Sequence, residues 1–113
     1  MKSKILALSK SEDFRSLLKQ KKNSNKYVTI FFGNLEKKNK KMLNISFVTK
    51  KKLGNAIKRN RIKRRLRAIT NEAIKKLSIN FNYSYLVIAK STMLNNNYTN
   101  IKEILFQEFE KIK

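Results

Sequence analysis

The chain has 113 residues, and 28 Lys and Arg outweigh 7 Asp and Glu to leave a formal charge of +21. That length makes one domain with one small core, and a 41% hydrophobic content with seven Phe and four Tyr is enough to fold it. The absence of His and Cys excludes thiol nucleophiles, disulfides, imidazole bases and His/Cys metal sites, and the charge points to a polyanionic partner.

Near the start, Ile5, Leu6, Ala7 and Leu8 follow Lys2 and Lys4. That run is too short for a signal-peptide core, and no stretch is long enough to span a bilayer. A soluble cytoplasmic protein is the expectation. Ser9-Lys10-Ser11-Glu12 has the form of a capping box, with Ser9 and Glu12 serving the free N–H groups of a helix start. Phe14, Leu17 and Leu18 follow at helical spacing, which predicts a first helix over residues 10–21. The polar residues 21–26 read as a loop. Tyr27-Val28-Thr29-Ile30-Phe31-Phe32 is β-branched and aromatic and reads as a strand. Residues 33–41 are a polar turn region and 42–49 a second extended run, and a hairpin joining the two strands is the economical pairing.

A long helix is expected over residues 55–77. Ile62, Leu66, Ile69, Ala73 and Leu77 recur at helical spacing and make one buried stripe. Asn60, Arg64, Arg67 and Asn71 fall on the opposite face, with Arg61 and Lys63 flanking, while Arg59 projects near the edge of the stripe. Residues 80–82 end this segment in a loop. Residues 83–90 are a third strand, whose Leu86-Val87-Ile88-Ala89 run suits burial on both faces. After Asn95-Asn96-Asn97, a final helix carries Ile101, Ile104, Leu105, Phe109 and Ile112. With no internal repeat and no linker, residues 1–113 read as one α+β domain.

The charge is unevenly placed. No acidic residue lies between Glu36 and Glu72, yet that segment holds fourteen of the 28 Lys and Arg. Five of the six arginines are Arg59, Arg61, Arg64, Arg65 and Arg67, with Arg15 the outlier. The abundance of Lys, Asn and Ile suggests codon bias toward A and T, which favours Lys over Arg. The arginine cluster runs against that background. Gly54 removes a side chain where the backbone turns, and the amides that follow open a helix N-terminus, favourable for phosphate. Arginine forks can hold phosphate oxygens in bidentate fashion, and Asn60 can donate and accept at a base edge or sugar hydroxyl. Like charges this dense at i, i+3 and i+4 repel unless an anion offsets them.

Lys52, Gly54, Ala56, Arg59, Asn60, Arg61, Lys63, Arg64 and Arg67 resemble, at fixed spacing, the arginine-asparagine-arginine signature of the bacterial ribonuclease P protein component. Ser11-Glu12-Asp13-Phe14, the aromatic strand, the strand Tyr85-Leu86-Val87-Ile88-Ala89 and the last helix also come in that family's order. The resemblance implies a small α-β sandwich, a mixed sheet with a basic crossover helix. Its strand-helix-strand crossover would be left-handed, against the general right-handed rule. It further implies a protein subunit of a ribonucleoprotein endoribonuclease that removes the 5′ leader of precursor tRNA. In that enzyme the RNA subunit carries the chemistry with Mg²⁺, and the protein binds that RNA and the leader.

Carried over by position, Lys52, Asn55, Lys58, Arg59, Asn60, Arg61, Lys63, Arg64 and Arg67 would face the RNA subunit, with Arg59 partly structural. Phe14, Leu18, Tyr27 and Phe31 would line the leader cleft. Leu18 stands where the family often has a second aromatic, and it cannot stack on a base as a ring would. Lys50 replaces a common small polar residue, and Ser46 and Thr49 a common Gly and Val.

Two other classes compete. A nuclease using two metal ions needs converging carboxylates. Glu12 and Asp13 read as helix-start charge, and Glu103, Glu108 and Glu110 as polar positions of the last helix, so no catalytic or metal-binding residues are expected in this chain. A ribosomal or other structural RNA-binding protein would explain the basic helix but not the nine matched positions, and a DNA-binding module lacks an obvious dimerisation seam or helix-turn-helix pair.

Overall fold

The computed structural model describes residues 5–8, 10–35 and 41–112. Its strands are β1 (Ile5–Leu6), β2 (Lys21–Ser24), β3 (Val28–Gly33), β4 (Leu43–Val48) and β5 (Ser84–Ala89), and its helices α1 (Ser11–Leu18), α2 (Ala56–Lys76) and α3 (Tyr98–Lys111). The strands form one sheet in the order β1-β4-β5-β3-β2. β5 runs parallel to β4 and antiparallel to β3, β1 is parallel to β4, and β2 is antiparallel to β3. Short 3₁₀ turns at Lys51–Leu53 and Ser91–Leu94 follow β4 and β5. The architecture is the expected mixed-sheet α+β sandwich, with α2 crossing between the parallel strands β4 and β5.

The expected hairpin between the first two strands does not form, because β5 lies between β3 and β4. Tyr85, Leu86 and Val87 are all 2% exposed or less. A strand this apolar gains most where other strands flank both edges and side chains cover both faces. A β3–β4 hairpin would have pushed it to an edge, with its N–H and C=O groups unpaired.

The expected loop at residues 21–26 is instead mostly strand β2. Its exposed lysines, Lys21 and Lys22, suit an edge. Asn25 makes the turn into β3: its Oδ1 accepts from the Tyr27 and Val28 N–H groups at 2.8 and 3.0 Å. Helix α1 is shorter than expected. Lys19 and Gln20 donate to the carbonyls of Ser16 and Leu17, which tightens the last turn and redirects the chain into β2. Ser9 of the expected capping box lies outside the described residues. Lys10 occupies the cap position, without a side-chain hydrogen bond.

The two faces of the sheet are covered unequally. On one, Ile62, Leu66, Ile69 and Ala73 of α2 and Ile101, Leu105 and Phe109 of α3 pack with Val28, Ile30, Phe32, Ile45, Tyr85 and Val87. Each large aliphatic in this core contributes about 1.5–3 kcal/mol by leaving water. Leu77 falls just past the end of α2 and is only half-buried, while Thr70 is buried and donates to the Leu66 carbonyl at 2.8 Å. Lys102 of α3 braces α2 through Glu72 at 2.8 Å. Burial pushes the Tyr85 pKa up, and its hydroxyl donates to the Asn80 carbonyl at 2.7 Å. On the other face, α1 lies against β2, β3 and β5. There Leu17 and Leu86 are buried apart from the main core. Among the described residues, no helix is long and apolar enough to cross a membrane.

Candidate nucleic-acid interface

The basic segment is held by its own local structure. Leu53, 2% exposed, anchors the turn after β4 in the core. Gly54 follows at φ +134°, a conformation closed to side-chain-bearing residues, and a Cβ there would also meet Lys58 Cδ at 3.0 Å. Asn55 then caps α2, its Oδ1 accepting from the Lys58 N–H at 3.0 Å. Of the residues expected to face RNA, Asn55 therefore has its side-chain oxygen engaged in starting the helix.

From that cap the buried stripe fixes the rotation of α2. Lys58, Asn60, Arg61, Arg64 and Arg67 are exposed, as is Lys52 in the preceding turn, and Lys63 is half-buried. Arg59 sits at the stripe's edge as its helical position requires: it is half-buried, and its Nε is out of water with no hydrogen-bond partner. Arg65, not among the residues expected to bind RNA, is half-buried and donates from Nη1 to the Asn96 carbonyl at 3.3 Å. The ion pairs among the described residues are Lys102–Glu72 and Lys111–Glu108, and neither touches these cations. No ion pair among the described residues relieves their mutual repulsion.

A different surface forms under α1. Strand register places Lys22, Phe31, Leu86 and Ser46 in one row across the sheet, and Ser24, Thr29, Ile88 and Val48 in the next. Phe14 and Phe31 are half-buried and Leu18 is 48% exposed. The structure thus brings Phe14, Leu18 and Phe31 to the same side of the sheet, which also carries hydroxyls and two lysines, Lys22 and Lys90. Ser24 and Thr29 share a hydrogen bond at 3.1 Å, and Lys90 Nζ donates to Ser24 Oγ at 2.8 Å. Lys22, Ser24, Thr29, Ile88 and Lys90 were missed by sequence reasoning. Alternation along β3 marks the Phe31 face, but only the pairing of β2 and β5 with it supplies these neighbours.

Tyr27 does not join that surface. The chain bends at Tyr27 and the strand begins at Val28, so alternation with Phe31 is broken. Its ring is 2% exposed in the main core, and its hydroxyl donates to Asn96 Oδ1 at 3.1 Å. A ring so enclosed cannot stack on a base.

An α-β sandwich with a helix whose outward cations meet no ion pair among the described residues, and an open sheet face carrying Phe31, defines a small protein class suited to holding a polyanion. The ribonuclease P family model matches residues 3–113. A ribonuclease P protein component from Mesoplasma florum is 33% identical over 106 residues, covering 92% of each chain. One from Carboxydothermus hydrogenoformans is 29% identical over 114 residues, covering 98% of this chain and 94% of that one. Among solved structures, the RNase P protein from Thermotoga maritima superposes with a TM-score of 0.80 at 21% identity, covering 96% of this chain and 98% of that one. The RNase P protein from Staphylococcus aureus superposes at 0.77 with 25% identity, covering 94% and 93%. The chain belongs to the bacterial ribonuclease P protein component family, whose role is RNA binding and precursor-tRNA processing.

Proposed function

We propose that this protein binds ribonuclease P RNA along the outer face of α2 and holds the 5′ leader of precursor tRNA against the sheet face under α1, in the cytoplasm. The observation that carries this reading is the cation set Lys58, Arg61, Arg64 and Arg67, exposed on one helix and paired with no carboxylate among the described residues. Such a face takes phosphates by releasing their counterions, and it offsets the repulsion between two RNA chains brought together. Phe31 and Phe14 offer rings to unpaired leader bases, with Lys22 beside Phe31 for the adjoining phosphate. Leu18 adds apolar surface without stacking.

In this reading the RNA subunit carries catalysis together with Mg²⁺, which supplies water activation and charge stabilisation when bound. Among the described residues, no three of His, Cys, Asp or Glu gather as a metal site. Glu72 is engaged by Lys102. The protein's part is to bind, orient and neutralise. The test is reconstitution with a bacterial ribonuclease P RNA and precursor tRNA at low Mg²⁺. The protein should promote 5′ leader removal well beyond an equally charged unrelated protein, and equal promotion by both would defeat the proposal.

A further inference from the structure

Strand β1 pairs Ile5 and Leu6 with Leu43 and Asn44 of β4, and continuing that register would set Leu8 beside Ser46. The Leu8 N–H instead donates to the Ser46 side-chain oxygen at 2.8 Å. Ser46 lies in the same row as Phe31 and Leu86, on the sheet face under α1. The bond therefore marks where the chain climbs from the β4 edge onto that face, shortly before α1 begins at Ser11. Ser46 is 8% exposed, which leaves water little access to replace the bond. It also stands where the family resemblance places a common Gly, which has no side-chain acceptor.

Helix α1 depends on ties of this kind. It has eight residues, of which Leu17 alone is buried, and its cap residue Lys10 makes no side-chain hydrogen bond. A helix this short does not persist by its own propensity. Its far end is held separately. Gln20 Nε2 donates to the Asn34 carbonyl at 3.4 Å, and the Gln20 side chain lies so close over Gly33 that a Cβ there would collide with it. The two ties thus sit at opposite ends of α1. Phe14 belongs to the first turn, toward Ser46, and Leu18 to the last, toward Gln20.

We propose that Ser46 is a positioning residue for the 5′ leader: through Leu8 it fixes the start of α1, and with it the Phe14 ring, over the sheet face that carries Phe31. The proposal rests on the reading that this face holds the leader, and it deepens it by naming what sets the geometry of the face. Ser46 acts through one backbone N–H and not by touching a base. Two rings take an unpaired segment best when their spacing is fixed beforehand, because ordering α1 at the moment of binding would cost affinity. The cations of α2 have no part in this tie, so binding of the RNA subunit does not depend on it.

Ser46→Ala removes the acceptor with little change in volume. The N–H groups of Asp13 and Phe14 bond to the Lys10 carbonyl, and their hydrogen exchange should quicken about fivefold, the equivalent of one hydrogen bond. Leu18, at the end tied by Gln20, should change less. Equal acceleration at Leu18 would mean that α1 loosens as a whole, which overturns the one-ended tie. The preference for precursor over mature tRNA should fall about threefold, less than for a lost ring because Phe14 is displaced and not removed. Affinity for the RNA subunit should stay as it was. Ser46→Thr keeps the hydroxyl and should restore both exchange and preference, and a threonine no better than alanine overturns the hydroxyl's role. Unaltered preference in Ser46→Ala overturns the proposal alone where Phe31→Ala lowers it. Where Phe31→Ala leaves it unaltered too, the leader reading has failed and the proposal falls with it. In the wild-type protein the Leu8 amide should exchange slowly although it lies past β1, and exchange at the free-peptide rate overturns the tie without any variant.

Discussion

The outer face of α2 and the sheet face under α1 are both open, but they are opposite in kind. The first carries Lys58, Arg61, Arg64 and Arg67 exposed along the first half of one helix. The second carries rings, hydroxyls and Lys22, drawn from β2, β3 and β5. Charge alone binds phosphate with little regard to sequence, whereas a half-covered ring responds to whether an unpaired base is present. Under the proposed function, the difference separates affinity for the RNA partner from preference for a substrate with a leader.

The comparison can be broken at either end. Arg64→Ala with Arg67→Ala removes two phosphate contacts and should reduce the salt slope of RNA-subunit binding by about 1.5, roughly a tenfold to twentyfold loss at 0.15 M relative to 1 M salt. Filter binding across a salt series measures it, and an unchanged slope would put both side chains in solvent. Phe31→Ala should lower the preference for precursor over mature tRNA about fivefold, near the low end of a stacking contact because the ring is half-buried. Its RNA-subunit affinity should stay as it was. Equal loss for precursor and mature tRNA would mean that Phe31 serves only the fold.

Tyr27→Phe sharpens the contrast further. It removes the hydroxyl that donates to Asn96, and should cost about 1 kcal/mol in urea unfolding with no change in leader preference. A selective loss of precursor tRNA would restore Tyr27 to the cleft. The smallest effect belongs to the brace between α2 and α3. The hydrogen bond that Lys102 donates to Glu72 lowers the Glu72 pKa below its ordinary 4.5 and raises the Lys102 pKa above its ordinary 10.5. The Glu72 contribution is therefore present above pH 4.5 and fades as pH falls through the lowered value. The Lys102 contribution is present below pH 10.5 and fades as pH rises through the raised one. Both side chains are partly in water, so the pair is weak. Glu72→Gln should melt slightly below the wild type at pH 7, with the gap closing in acid. A gap that persists at pH 2.5 would mean the carboxylate's charge is not its cause.

The α2 face was legible because a helix writes its geometry into local spacing: Ile62, Leu66, Ile69 and Ala73 fix the rotation, and the outward residues follow. The resemblance at Arg59-Asn60-Arg61 then supplied the role proposed for that face. The sheet face was legible only at Phe14, Leu18 and Phe31. Its other members come from strands whose partners lie far along the chain, and register leaves no mark in local sequence. Tyr27 failed for the same reason, since a bend one residue before a strand is enough to reverse a side chain. Arg65 was passed over because what orients it is a carbonyl 31 residues away. The apolar run at residues 86–89 did announce burial on both faces, but not that the strand would divide an expected hairpin.

That central position of β5 also bears on how the molecule is made. On the ribosome the chain emerges from residue 1, so β2 can pair with β3, and β1 with β4, while Ser84–Ala89 is still unsynthesised. Those two strand pairs share no direct bond until β5 arrives between them. The Ile62–Leu66–Ile69 stripe of α2 lacks a completed sheet to dock on until then. Such distant pairings close slowly, because loop entropy has to be overcome before the contacts form. A nascent chain stopped short of Ser84 would hold two disconnected strand pairs and a cationic amphipathic helix whose apolar side is still uncovered.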